Sequence, residues 1–249
     1  MGDGRGVALV TGASRGIGRA VAIALAHDSW DVAILGRSVS GLAPTLDAVL
    51  ATSAGGLAVC ADVCRPDEVA DAVTRIEDEL GPIQALVNNA GIQRLAPALG
   101  VSETDWDDVL DTNLKGAFFC AQAVGQNMTR RNSGSIVNIA SAAALVAVRD
   151  RAAYAASKAG LVMITKVLAL EWAAHGVRVN AVAPTFVDTD LGRQTLDRPD
   201  MRRQVVERIP MGRLADVADV VRATQFLLDS DSSSFITGQV LAVDGGLTL

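Results

Sequence analysis

The stretch Val7-Ala8-Leu9-Val10-Thr11-Gly12-Ala13-Ser14-Arg15-Gly16-Ile17-Gly18 decides the fold. Four apolar residues read as a buried strand, three glycines as a turn, and the run from Arg19 to His27 as a helix. A glycine-rich turn between strand and helix lets backbone N–H groups and the positive helix N-terminus approach a pyrophosphate without obstruction from a Cβ. Gly12, Ser14, Arg15, Gly16, Ile17 and Gly18 are therefore candidate contacts to such a group. The spacing is Gly-x-x-x-Gly-x-Gly, not the commoner Gly-x-Gly-x-x-Gly, so taken alone the turn also fits a plain tight connection.

The same alternation continues outward along the chain. Short apolar runs recur at Val32–Leu35, Leu57–Val59, Ala85–Val87, Ile136–Ile139, Val177–Val182 and Val240–Val243. Between them lie segments with helical periodicity, such as Val69, Val73, Ile76 and Leu80, or Val217, Val220, Val221, Leu227 and Leu228. Apolar strands alternating with amphipathic helices predict a parallel sheet covered on both faces. Right-handed crossovers then give an α/β doubly wound, seven-stranded Rossmann fold. No linker or repeat interrupts it, so residues 1–249 are expected to form a single domain.

Composition narrows the class. Half of the residues are hydrophobic but only 4% are aromatic, so the core must pack with Ala, Val, Leu and Ile. The net charge is -6 and the basic residues are scattered, which argues against nucleic acid as a partner. Cys60, Cys64 and Cys120 lack paired spacing and read as small buried hydrophobes in a reducing compartment; His27 and His175 stand apart, so no metal site is expected. Met1–Arg5 leads straight into the first strand, and the longest uninterrupted apolar run, Ala142 to Val148, is too short to span a bilayer. A soluble, cytoplasmic protein with no membrane partner is expected.

Cofactor choice is read at the end of the second strand. An acidic residue there would bind the ribose 2′-OH of NAD, but the chain has Gly36-Arg37. Arg37, with Arg15 in the glycine turn, can instead pair with a 2′-phosphate through charge-assisted hydrogen bonds. NADP(H) is thus favoured, with NAD(H) possible.

The only tyrosine, Tyr154, precedes Lys158 by four residues. On a helix the two share one face about a turn apart, and a nearby cation favours the phenolate. Tyr-x-x-x-Lys is thereby a general acid/base candidate.

These motifs stand in an order that resembles the short-chain dehydrogenase/reductase family along essentially the whole chain. The resemblance rests on Thr11-Gly12-x-x-x-Gly16-x-Gly18, Asp62, Asn88-Asn89-Ala90-Gly91, Asn113, Ser141 and Tyr154-x-x-x-Lys158, with Ser141 preceding Tyr154 by 13 residues (154 − 141). It implies a catalytic tetrad of Asn113, Ser141, Tyr154 and Lys158. Tyr154 would exchange the proton, Lys158 would lower its pKa and hold the nicotinamide ribose, Ser141 would hydrogen-bond the substrate oxygen, and Asn113 would position a relay water. It further implies adenine contacts from Asp62 and Val63, ribose contacts from Asn89, Ala90 and Gly91, and nicotinamide contacts from Pro184, Val187 and Thr189. One departure is Pro184-Thr185, where the family commonly has Pro-Gly.

Substrate identity is read less sharply. Gln93, Arg94, Ala143 and Arg151 are the candidate substrate contacts, and Arg94, Arg149 and Arg151 could meet a carboxylate. The segment 186–211 could close as a lid. The resemblance to gluconate 5-dehydrogenases favours a polyol, keto-sugar or sugar acid; a likeness to 3-oxoacyl-acyl-carrier-protein reductases is the alternative, and a redox sensor that binds nucleotide without turnover is a third. Phe118, Phe119, Ala121, Val124, Leu161 and Ile164 exceed what one sheet face needs, and the resemblance implies a homotetramer to which Gln239–Leu249 also contributes.

Overall fold

The computed structural model describes residues 5–197 and 199–249. The expected lead from the N-terminus into the first strand falls largely on residues 1–4, which lie outside the described residues, as does residue 198 within the expected lid.

Seven parallel strands form one sheet: β1 (Val7–Thr11), β2 (Asp31–Gly36), β3 (Gly56–Cys60), β4 (Ile83–Asn88), β5 (Gly134–Ile139), β6 (Val177–Pro184) and β7 (Val240–Val243), in the order β3-β2-β1-β4-β5-β6-β7. Each apolar run of the sequence lies within one of these strands. The central strands are apolar on both sides because both faces are covered. Along β1, Ala8 and Val10 enter one core while Val7 and Leu9 enter the other. The first core packs β1, β2 and β4 under α1 (Gly16–His27), α2 (Val39–Leu50) and α9 (Val217–Leu228). The second packs them under α3 (Pro66–Glu79), α5 (Ala117–Arg131) and α6 (Ala152–Trp172). The buried face of α3 is Val69, Val73 and Ile76 of the stripe read from the sequence, joined by Ala72, with Leu80 at the helix end packed against it.

Strand order reverses between β1 and β4, which opens a crevice at the carboxyl ends of the strands. Two elements shape it beyond the sheet. After α4 (Glu103–Leu110), residues Asp111–Gly116 form one widened π-helical turn that continues into α5. After β6, the short helices α7 (Asp190–Leu196) and α8 (Pro199–Glu207) form a separate small core of Leu196, Val205, Ile209 and Leu214 around Phe186.

Three expectations change. Ala121, Val124 and Leu161 are buried within the chain's own core and are not free for subunit contacts; the apolar residues that α6 exposes are Met163, Val167 and Leu170. Cys60, the last residue of β3, is exposed, whereas Cys120 is buried and its thiol is pushed up to about 12 by desolvation. And α6 with its short extension, Ala152–His175, is long and apolar enough to cross a membrane, holding an 18-residue window of mean hydropathy 1.3, half of which is buried inside the fold. Its apolar character serves the core, since α6 packs on β6, α4 and the 111–116 turn.

Candidate active site

The glycine turn is shaped by close backbone approach. Gly12 and Gly16 adopt φ of +65° and +58°, and a Cβ on Gly12 would lie 2.7 Å from the Ala90 Cα. Asn89 clamps the turn from β4, its amide donating to the carbonyls of Thr11 and Gly12 at 3.0 Å each. A side chain on Gly18 would collide with that amide. Thr11 Oγ1 accepts from the backbone N–H groups of Asn89 and Ala90, both at 3.1 Å, so two strand ends are locked side by side. The Asn89 side chain therefore holds the turn, a duty the sequence reading did not assign it.

This arrangement fits a dinucleotide. No side chain caps α1 at Arg15, so its first N–H groups remain available to an anion. The crevice beside them is lined by Ser14, Arg15, Arg37, Asp62, Val63 and Gly91. Arg37 has no ion-pair partner among the described residues, while Arg15 lies 3.6 Å from the exposed Asp190. The arginine pair expected at a 2′-phosphate thus stands at one end of the groove.

At the other end lie Ser141, Tyr154 and Lys158, with Gln93, Ala143, Arg151, Pro184 and Val187. The two ends are continuous through Ile17, Asn89, Gly91, Thr189 and Leu191, which line both. Ser141 follows β5, and its hydroxyl also accepts from the Ala143 N–H at 3.1 Å, so it caps a turn and faces the crevice at once. Lys158 Nζ is fully buried and donates to the Ile139 carbonyl at 2.7 Å. Desolvation lowers its pKa to about 8.

The phenol of Tyr154 behaves differently from the sequence expectation. Burial raises its pKa, opposed by hydrogen bonding from Ser141 and by the charge of Arg151. The lowering assigned to Lys158 comes instead from these two groups; Lys158 Nζ lies 5.9 Å from the ring centre, engaged with Ile139. Tertiary burial, which spacing alone does not reveal, is the larger effect here.

Asn113 sits in the π turn, fully buried behind the crevice. Its Oδ1 accepts from the Ile92 N–H at 2.8 Å, and its Nδ2 donates to the Ile92 carbonyl at 2.9 Å and to Ser157 Oγ at 3.1 Å. Ser157 in turn donates to the Tyr154 carbonyl. Both amide protons are therefore committed to tying the loop after β4 to α6, and only one Oδ1 lone pair is left for a relay water. Ser157 was not singled out in the sequence, where it is one small residue inside an alanine-rich helix.

Thr185 takes the departure from Pro-Gly without strain. Its backbone is not in the left-handed region, and its N–H donates to the Val243 carbonyl at 3.1 Å, extending the β6–β7 ladder. Its Oγ1 is buried without a partner. Thr189 Oγ1 caps α7 by accepting from Gly192 N–H at 3.3 Å, and Val187 pairs with Ala215.

The arginines separate. Arg94 lies on the surface between Asp105 and Asp108 at 3.4 and 3.5 Å and does not reach the crevice; its partners come from α4, a contact no local pattern signals. Arg149 is exposed. Arg151 is buried at the start of α6, and Asp150 does not pair with it.

Residues 12–248 match the family described as Enoyl-(Acyl carrier protein) reductase. A D-threitol dehydrogenase of Mycolicibacterium smegmatis is 43% identical, the match covering 99% of this chain and 94% of that protein. A 3-oxoacyl-acyl-carrier-protein reductase of Staphylococcus epidermidis is 39% identical, with 96% and 98% covered. The crystal structure of a gluconate 5-dehydrogenase from Burkholderia cenocepacia J2315 in complex with NADP and tartrate is similar with a TM-score of 0.95 at 36% identity, covering 98% of this chain and 96% of that one.

Proposed function

Given that the chain belongs to the short-chain dehydrogenase/reductase family, we propose that it interconverts a carbonyl and a secondary alcohol on a small polar substrate, a polyol, keto-sugar or sugar acid, using NADP(H) in preference to NAD(H). The observation that carries this reading is the convergence of Ser141, Tyr154 and Lys158 on one wall of a crevice whose far end holds Arg15 and Arg37.

When bound, the nicotinamide supplies or accepts the hydride. The chain's own residues do the rest. Ser141 hydrogen-bonds the substrate oxygen where negative charge develops during reduction, and Tyr154 delivers its phenolic proton to that same oxygen; in oxidation the proton returns. Burial keeps the phenol protonated at neutral pH, which suits the reductive direction. Lys158 stands beside Tyr154 as the group that would hold the nicotinamide ribose. Asn113 fixes the loop after β4 against α6, and any relay water reaches it through the one free lone pair. Asp62 and Val63 would border the adenine, Asn89 to Gly91 the ribose, and Pro184, Val187 and Thr189 the nicotinamide. Residues 186–211 close over the crevice as a lid, consistent with Phe186, Leu191 and Gly192 lining it.

The chain acts as one cytoplasmic domain that assembles into a homotetramer, for which the exposed Met163, Val167 and Leu170 on α6 and Leu241 and Leu249 near the C-terminus supply apolar area. A panel of polyols, sugar acids, keto-sugars and 3-oxoacyl thioesters, run with NADPH and NADH, tests the function. Fastest turnover on 3-oxoacyl thioesters would favour the acyl-carrier alternative, and tight NADPH binding without turnover on any of them would favour a sensor.

A further inference from the structure

A buried guanidinium with no carboxylate partner is costly unless an anion joins it, because removing a charge from water is repaid only by an opposite charge and full hydrogen bonding. Arg151 is such a group. It is 9% exposed, it begins the helix that carries Tyr154, and no ion pair forms to it among the described residues. Other partly buried arginines are accounted for: Arg131 pairs with Glu77 at 3.0 Å, and Arg178 donates to three oxygens between 2.8 and 3.1 Å.

The neighbours of Arg151 orient it without neutralising it. One terminal nitrogen donates to Gln93 Oε1 at 2.8 Å and the other to Thr195 Oγ1. Gln93 is itself held by donating from Nε2 to the Leu191 carbonyl at 2.7 Å, which turns its oxygen toward the arginine. The guanidinium carbon lies 5.0 Å from the Phe186 ring centre and 5.9 Å from that of Tyr154. Of five N–H donors, two are used, both on neutral acceptors. The side chain lines the catalytic end of the crevice, away from Arg15 and Arg37 at the phosphate end.

We propose that Arg151, oriented by Gln93, Thr195 and Phe186, binds a carboxylate of the substrate, and that the enzyme therefore acts on hydroxy or keto acids of the sugar-acid type in preference to neutral polyols or thioesters. This inference rests on the reading of Tyr154 and Ser141 as the reacting site. The short span between guanidinium and phenol places the carboxylate and the reacting carbon within one small molecule. Arg94 and Arg149 cannot share the duty, since neither lines the crevice.

The test compares D-gluconate with D-glucitol, an acid and a neutral alcohol of equal carbon number, in wild type, Arg151→Gln and Arg151→Lys, with NADP. The ratio of kcat/KM for the acid over that for the alcohol should exceed one in wild type and fall roughly 10- to 100-fold in Arg151→Gln, the loss lying mainly in KM. Arg151→Lys should recover part of the ratio. A second reading is thermal protection of the NADP-saturated protein by malonate, present in wild type and lost in Arg151→Gln. A wild type that turns over the alcohol as well as the acid, or an Arg151→Gln variant that loses both equally and keeps its malonate protection, overturns the proposal. Wild type inert on both compounds and on every other carbonyl tested would instead contradict the reading of the site itself.

Discussion

The ammonium of Lys158 donates to the carbonyl oxygen of Ile139 at 2.7 Å, joining the helix of Tyr154 to the end of β5 just ahead of Ser141. Desolvation brings the lysine from its ordinary 10.5 to about 8. In the folded protein the proton is lost near pH 8, but in the unfolded chain it is kept to about 10.5, so the unfolded state binds more protons across that window. Unfolding free energy should therefore gain on the order of 3 kcal/mol between these limits from this group. Urea titrations of the cofactor-free protein at pH 7.5 and 10, set against Lys158→Met, measure it; identical pH dependence in both proteins contradicts the burial account. In activity, kcat/KM for NADPH should show a basic limb near the same pH as the ammonium that grips the cofactor is lost.

Among the described residues Arg37 has no ion-pair partner at the phosphate end of the crevice, whereas Arg15 already has Asp190 nearby. Arg37→Asp should raise KM for NADPH by roughly 10- to 100-fold, the size of one or more charge-assisted hydrogen bonds, while KM for NADH changes far less. Steady-state kinetics with both cofactors decide, and an unaltered NADPH preference would remove the phosphate clamp.

The buried Asn113 side chain makes three hydrogen bonds, two of them to the partly buried backbone of Ile92. Asn113→Ala strands those groups, and should lower stability by roughly 2–4 kcal/mol as well as depress kcat. Chemical denaturation reads the first effect. A variant as stable as wild type would show that the tie between the β4 loop and α6 is dispensable.

Thr185 buries a hydroxyl with no partner. Thr185→Val keeps the shape and removes the unsatisfied oxygen, so the cofactor-free protein should gain about 1 kcal/mol. A loss of stability in calorimetry would mean that the hydroxyl has a partner after all.

The fold was legible because the strands of a parallel sheet covered on both faces are mostly apolar, and the seven runs from Val7 to Val243 have that character apart from Asn138, Arg178 and Asn180. The four-residue spacing of Tyr154 and Lys158 likewise pointed to a helix, which the structure places over Ala152–Trp172. What escaped depends on contacts distant in the chain. The fate of Arg94 is set by Asp105 and Asp108, the orientation of Arg151 by Gln93 and Thr195, and the rise in the Tyr154 pKa by burial that a four-residue spacing does not report. The π turn at Asn113 has no signature in hydrophobic periodicity, since Asp111, Thr112 and Lys115 surround it with polar residues.

The central claim is that Tyr154 carries the proton in hydride transfer. Its most direct measurement is turnover and NADPH affinity of Tyr154→Phe, which keeps the buried ring and removes only the hydroxyl. NADPH binding by fluorescence should stay within a few-fold of wild type while kcat falls by roughly 100- to 10,000-fold, the range of one positioned acid. Turnover within tenfold of wild type, with the cofactor bound normally, would contradict it.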